Sequence, residues 1–222
     1  MPVPPFDRMH ANGTHGFDQL AADPRWHTFT AQERQIVEDF SRRWQIRAGQ
    51  HVLEPGCGTG RLTAVLAALT GPTGSVVAFD ASAKLIRIAG GRRLPAHVRL
   101  HTARAETFVR QSAVFDHIVC FNVFPHLVPH ARIARRLARA LRPGGVLWIA
   151  HTRSRSFVNA VHGRGASFMH DHLLPEPDEL GRWLREAGLH GFEVEDGKDR
   201  FLAWAVRPAR RPKPRPSPTT GR

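Results

Sequence analysis

The sequence predicts an α/β protein with a doubly wound sheet, mostly parallel, that closes on an antiparallel C-terminal hairpin strand. Three observations carry this. Apolar, β-rich runs alternate with helical patterns through the middle of the chain, and parallel strands need such crossovers. The first of these strands enters a glycine-rich turn, Glu54-Pro55-Gly56-Cys57-Gly58-Thr59-Gly60, that opens directly into an apolar helix. The chain then departs from alternation: Phe192-Glu193-Val194-Glu195 and Phe201-Leu202-Ala203-Trp204-Ala205-Val206 are separated only by a short turn around Asp196-Gly197.

Residues 1–30 read as an irregular N-terminal cap segment. Thr30 and Glu33 then form a capping box, and Ile36, Val37, Phe40 and Trp44 recur at helical spacing. The first strand covers 51–55. Further strands fall near 75–80, 98–102, 117–122 and 146–151, with helices near 60–69, 82–90, 130–141 and 178–187. The domain is expected over 31–207. Residues 208–222 form a basic tail: with five prolines and no acid it has no means to pack as a helix or strand.

The 222 residues suit one domain, and no apolar run approaches the roughly 20 residues of a membrane span. The net charge of +13 points toward nucleic acid, but six of the basic residues lie in 207–222, and only three residues of the chain are lysine. A solvated basic surface explains most of this charge. The start of the chain lacks a signal-peptide pattern, and the two cysteines make no disulfide framework, so the expected compartment is the cytoplasm. Cys57 reads as a small loop residue and Cys120 as part of a buried strand.

The glycines recur at every second position, and backbone without a Cβ lets a ligand lie directly against the turn. The amides and the helix behind them suit an anionic group. Glu54 precedes the glycines, and Asp80 ends the next strand, where it can accept both hydroxyls of a ribose. Glu54 is placed to hold the loop or an ammonium group. A ligand with ribose hydroxyls, an ammonium and no diphosphate is S-adenosylmethionine.

On these residues, and on Val77-Ala78-Phe79-Asp80-Ala81-Ser82, Phe115-Asp116-His117-Ile118-Val119-Cys120-Phe121-Asn122 and Ala138-Arg139-Ala140-Leu141-Arg142-Pro143-Gly144-Gly145-Val146-Leu147-Trp148-Ile149, the chain resembles the class I S-adenosylmethionine-dependent methyltransferases. The likeness is to their small-molecule branch, which contains the quinone-biosynthesis methyltransferases, and it runs from about Phe17 to Arg207. It implies a Rossmann-like, seven-stranded sheet and methyl transfer to a small-molecule acceptor with a hydroxyl, thiol or carbon nucleophile. It also implies that Gly56, Cys57, Gly58 and Gly60 line the methionine half of the cofactor, with Glu54 behind them, and that Asp80 holds the ribose and Ala81 lies beside the adenine. Ala105 and Glu106 match the segment that reads the adenine edge, and Asn122 lies beside the reactive methyl. Trp26 belongs to an N-terminal segment that either closes over the active site or straps onto the core. A substrate-cover insertion is expected near 152–177.

Two departures bear on function. Arg104 stands where many relatives have an aspartate, and an arginine has no acceptor for the adenine amino group. Asn122-Val123-Phe124-Pro125 lacks the prolines of the Asn-Pro-Pro-aromatic motif found in nucleic-acid amino methyltransferases. A nucleic-acid methyltransferase using the arginine-rich surface and tail, and an NAD(P)-type oxidoreductase, are the competing readings. The glycine spacing and terminal hairpin disfavour the second.

The fourteen histidines are the chain's own signal. His126 lies just past the fourth strand and His151 ends the fifth. If 155–162 is helical, Asn159 and His162 share a face on the substrate side. His170, Asp171 and His172 follow. Three readings stand: scattered histidines, a base or substrate-orienting cluster led by His126 and His151, and a divalent metal held by His126, His151, His162, His170 and Asp171. The nature of the accepting atom stays open, although the absence of a set of paired exposed cysteines disfavours a metalloid.

Overall fold

The apolar runs become seven strands in a computed structural model: β1 (His51–Pro55), β2 (Ser75–Asp80), β3 (Val98–Thr102), β4 (Phe115–Phe121), β5 (Leu141–His151), β6 (His190–Asp196) and β7 (Phe201–Val206). The structure describes residues 18, 21, 23–108, 113–163 and 172–209. Among the described residues these helices accompany the strands: α1 (Ala31–Trp44), α2 (Arg61–Thr70), α3 (Ala83–Gly90), α4 (Ala105–Phe108), α5 (His130–Ala140), α6 (Arg155–Gly163) and α7 (Pro177–Glu186). The strand order is β3-β2-β1-β4-β5-β7-β6. The first five strands are parallel neighbours, and β7 runs antiparallel between β5 and β6. The sheet therefore has the expected doubly wound form with an antiparallel C-terminal hairpin.

Strand periodicity sorts the core onto two faces. Leu53, Ile118, Cys120, Leu147, Ile149 and Ala203 join one apolar cluster with Ile133 and Leu137 of α5 and Leu180 and Leu184 of α7. Their neighbours Val52, Val119, Phe121, Trp148, Ala150 and Leu202 point the other way, onto Ile36, Val37, Phe40 and Trp44 of α1 and Leu62 and Leu66 of α2. Both faces are covered, which is why the strands read as near-continuous apolar runs.

β5 begins five residues earlier than its apolar pattern. Leu141 pairs with Phe115 ahead of a register shift, and Arg207 adds further backbone bonds, accepting the Gly144 N–H at 2.7 Å and donating its own N–H to Gly145 O at 2.8 Å. Asp116 sits at the shift and accepts the His51 amide at 2.7 Å, fixing the start of β1. α4 is one turn long, too short to leave a periodic signal. Of the expected cap segment, cover and tail, residues 1–17, 19, 20, 22, 164–171 and 210–222 lie outside the described residues. Among the described residues no helix is long and apolar enough to cross a membrane.

The capping box at the head of α1 is complete: the Thr30 amide donates to Glu33 at 2.9 Å and the Glu33 amide to the Thr30 hydroxyl at 3.2 Å. Thr30→Ala strands an amide at the helix start and is expected to lower the unfolding free energy by about 0.5–2 kcal/mol. Urea unfolding measures this, and an unchanged midpoint would show that the cap contributes nothing.

Candidate active site

Strand order reverses between β1 and β4, and in open α/β sheets the crevice beyond the carboxyl ends at such a point takes the ligand. A cavity of about 300 Å³ lies there. Each neighbouring strand sends a loop to it: Gly56 after β1, Phe79, Asp80 and Ala81 from β2, Ala103 to Glu106 after β3, and Val123, His126, Leu127 and Val128 after β4, with His172 closing one side.

The glycine loop is shaped by close approach. Gly56 has φ +65°, and a Cβ there would lie 2.2 Å from a Val123 methyl, so only glycine lets the loops after β1 and β4 meet. Gly58 has φ +56°, and a Cβ added to it would meet nothing within 4 Å; its outer side is open space. The Gly58 amide donates to Asp80 Oδ2 at 2.9 Å, and the Ser82 amide to Oδ1 at 2.9 Å. Each carboxylate oxygen thus keeps acceptor capacity for a further donor. Gly60 starts α2 and does not line the cavity.

Glu54 is 2% exposed and accepts the Thr63 hydroxyl at 2.6 Å. Burial, with Asp80 adding like charge, pushes its carboxyl up to about 8. Burial also raises Asp80, against the pull of its two backbone donors. The buried Cys57 thiol is driven well up by desolvation and by the two acids, so it is held protonated and is no nucleophile. The site therefore gathers two acids whose charge is undercompensated beside an open glycine cradle. A ligand that brings an ammonium and hydroxyl donors fits that deficit, and S-adenosylmethionine has both. At the adenine side Arg104 pairs with Glu106 at 3.7 Å, so the departure from an aspartate is internally balanced.

The histidines separate. His126, in a turn at Phe124–His126, and His172 both line the cavity, their Nδ1 atoms 3.2 Å apart. His162 packs its ring 5.0 Å from that of His126 and bonds the His172 carbonyl through Nδ1. His151 does not reach the cavity. It is 3% exposed, set edge-on to Phe201 at 6.4 Å with no partner for Nε2 among the described residues, and burial pushes it down to about 3. The expectation that His151 is a base is corrected: matching strand ends are adjacent, but this side chain turns into the packing of β5 on β7. Among the described residues no three His, Cys, Asp or Glu side chains are placed to hold a metal. His170 and Asp171 lie outside the described residues.

Both expected asparagines are engaged within the protein. Asn122, with φ +52°, receives the Thr152 amide at 3.0 Å and donates to the Thr152 hydroxyl at 3.2 Å, joining the ends of β4 and β5. Asn159 brackets Leu174, accepting its amide at 2.8 Å and donating to its carbonyl at 2.9 Å. With His162 it pins the segment that carries His172. Trp26 does not line the cavity: it is 42% exposed, and its carbonyl accepts the Thr59 hydroxyl at 2.6 Å.

Sequence reasoning passed over several contributors. Arg92 bonds the carbonyls of His27 and Thr59, and Arg61 bonds the Thr28 carbonyl at 3.0 Å, so two arginines tie the N-terminal segment to the glycine loop. Asp18 accepts from the Ser82 hydroxyl next to Asp80. In a chain this rich in arginine, nothing set these two apart. Thr63, in the first turn of α2, reads in the sequence only as part of an apolar run, and its bond to Glu54 comes from the packing of α2 on β1.

Residues 26–194 match the protein family described as methyltransferase domain. A ubiquinone biosynthesis O-methyltransferase of Xanthomonas euvesicatoria pv. vesicatoria is 29% identical over 200 residues, covering 78% of this chain and 82% of that one. A ubiquinone biosynthesis O-methyltransferase of Xylella fastidiosa is 31% identical over 202 residues, covering 78% and 79%. Among solved structures, an S-adenosylmethionine-dependent methyltransferase from Aquifex aeolicus superposes with a TM-score of 0.64 at 21% identity, over 86% of this chain and 96% of that one. Haemonchus contortus phosphoethanolamine N-methyltransferase 2, solved with phosphomonomethylethanolamine and S-adenosylhomocysteine, gives 0.71 at 18% identity over 93% and 61%. The two structures share the fold.

The displaced Glu54 carboxyl has a thermodynamic consequence. Its pKa is higher folded, about 8, than its ordinary 4.5, so the folded chain binds the extra proton between those values and stability falls as pH rises through that window. Glu54→Gln keeps an acceptor for Thr63 but does not ionise. Relative to the parent, this variant is expected to gain stability from about pH 5 to about pH 8, on the order of a few kcal/mol. Urea unfolding of cofactor-free protein at both pH values measures it; an equal difference at both would contradict the buried acid.

Proposed function

The chain belongs to the methyltransferase-domain family, and from that premise we propose that this S-adenosylmethionine-dependent enzyme methylates an acidic hydroxyl, of the phenol or enol class, on a small molecule. The observation that carries the reading is the His126–His172 pair, set in the same cavity as Asp80 and the glycine loop. A neutral imidazole titrates near 6.5 and a phenol near 10, a gap that proton transfer during attack can bridge; an aliphatic alcohol lies much further away. The names of the curated relatives, both O-methyltransferases, support the same class of acceptor.

In this reading Gly56 and Gly58 cradle the methionine portion of the cofactor, Glu54 sets beneath it a carboxyl whose ionisation the ligand's ammonium favours, Asp80 accepts the ribose hydroxyls, and Ala81 with Ala103 to Glu106 flank the adenine. When bound, the cofactor supplies an electrophilic methyl group, which bonds to the acceptor oxygen as the carbon–sulfur pair returns to sulfur. The histidine pair takes the hydroxyl proton. Val123, Leu127 and Val128 give the acceptor an apolar wall and keep water from competing. Residues 152–177 act as the cover on the acceptor side, since Asn159 and His162 hold the backbone on which His172 stands. Residues 1–30 act as the cap on the cofactor side, supported by the Asp18 contact at Ser82. The two free, buried cysteines fit a reducing cytoplasm. No metal is required for this proton path.

Two variants divide the roles. Asp80→Ala is expected to weaken S-adenosylmethionine binding tenfold or more, about 1.4 kcal/mol, in calorimetry; unchanged affinity would remove the cofactor assignment. His126→Ala is expected to lower turnover of a phenolic acceptor, followed with labelled methyl donor, by roughly 10²–10⁴ while sparing cofactor affinity. Full turnover in that variant, or methylation confined to thiols, would overturn the hydroxyl reading.

A further inference from the structure

A second cavity, of about 460 Å³, opens at the opposite end of the sheet, where α1 ends and β1, β4 and β5 begin. It shares no lining residue with the active-site cavity. Its walls include the indoles of Trp44, Trp148 and Trp204, with His117, Gln50 and Arg47 between them. Trp148 and Trp204 stand opposite each other on β5 and β7, ring centroids 5.6 Å apart and inclined at 34°.

The hydrogen bonding of this wall is lopsided. Trp148 donates its N–H to His117 Nδ1 at 3.2 Å, which places the imidazole proton on Nε2, 3.2 Å from Gln50 Oε1. The same Gln50 oxygen accepts the Arg47 amide at 2.7 Å. Asp116, also on the wall, spends its carboxylate on the His51 amide and on the Arg142 guanidinium at 3.1 Å. The side-chain acceptors of this wall each have a donor within the protein, whereas several of its donors do not have an acceptor among the described residues. Trp44 is 1% exposed and its indole N–H has no partner among the described residues. The Gln50 amide nitrogen and the exposed Arg47 guanidinium add further donors, and Arg47 adds a positive charge. An unpaired buried N–H is costly unless an acceptor reaches it, and indole faces favour a flat, π-bearing partner.

We propose that this cavity is a second binding site, for a planar aromatic carboxylate. The carboxylate meets the donors of Arg47, Gln50 and Trp44, and the ring lies along Trp148 and Trp204. The proposal is independent of which acceptor the active site methylates.

The test uses the full chain saturated with S-adenosylhomocysteine and 2-naphthoate as the probe, followed by tryptophan fluorescence and by calorimetry. Saturable one-site binding is expected, weakened at least fivefold by Arg47→Ala, whose exposed side chain makes no contact that folding needs, and unchanged by His126→Ala. The neutral analogue 2-naphthalenemethanol and the cation 2-naphthylmethylamine are expected to bind at least tenfold more weakly. Three outcomes would overturn the site: no saturable binding into the millimolar range, equal affinity for the three probes, or binding that survives Arg47→Ala and is lost in His126→Ala, which would place the probe in the methyl-transfer cavity.

Discussion

The Asp80 carboxylate is the tie on which the ligand end of the sheet depends. One oxygen holds the Gly58 amide and the other the Ser82 amide, so a single side chain spans the glycine loop after β1 and the turn into α3. Ser82 extends the tie: its hydroxyl caps α3 at the Leu85 amide, 3.1 Å away, and donates to Asp18 of the N-terminal segment. Loop, helix and cap are thus referred to one carboxylate. The cost is electrostatic. Asp18, Asp80 and Glu54 crowd a poorly solvated region, and both buried acids are shifted upward because of it. A protein that only needed to fold would do better with an amide at position 54. A sulfonium ligand bearing an ammonium and two ribose hydroxyls supplies the charge and the donors the site lacks, so the strain of the free protein becomes part of the recognition.

The outer side of the same loop is held by cations. Arg61 lies 4.6 Å over the Phe29 ring as well as on the Thr28 carbonyl, and Arg92 grips His27 and Thr59. The Glu54 and Asp80 carboxyls lie on one side of the loop, and the two guanidiniums hold the other. That division fastens the N-terminal segment to the loop while leaving both guanidiniums off the carboxyls of Glu54 and Asp80.

How much of this was readable from the chain follows from the range of the forces involved. β1 and β2 are legible to the residue because their apolar runs end in acids, Glu54 and Asp80, ahead of a turn. β5 extends beyond its apolar run because Pro143-Gly144-Gly145 has the chemistry of a turn, and only the return of Arg207 alongside it makes that stretch a strand. Backbone positions of the site were equally readable, since a glycine loop followed by an acid is local. Side-chain roles were not. Asn122 and Asn159 stand where ligand contacts were expected, yet both amides close on backbone, at Thr152 and Leu174, that a different part of the fold brings to them. An amide is as good at completing a chain reversal as at reading a ligand, and sequence spacing cannot distinguish the two.

The histidines make the same point about chemistry. His126 and His151 have one side-chain type and sit beyond adjacent parallel strands, and from the sequence they are equivalent candidates. Packing separates them. His151 is sealed between β5, β7 and α6, where removal from water, with His162 nearby, holds the imidazole neutral down to about pH 3. A base that weak cannot draw a proton from a hydroxyl at neutral pH, however near it stands. His126 lines the cavity and shares a hydrogen bond with a second imidazole, a partner able to stabilise the charge it would acquire. What separates the two is therefore access to the cavity and a partner, both supplied by the loop after β4 and the segment that Asn159 and His162 pin, and neither encoded at the histidine itself.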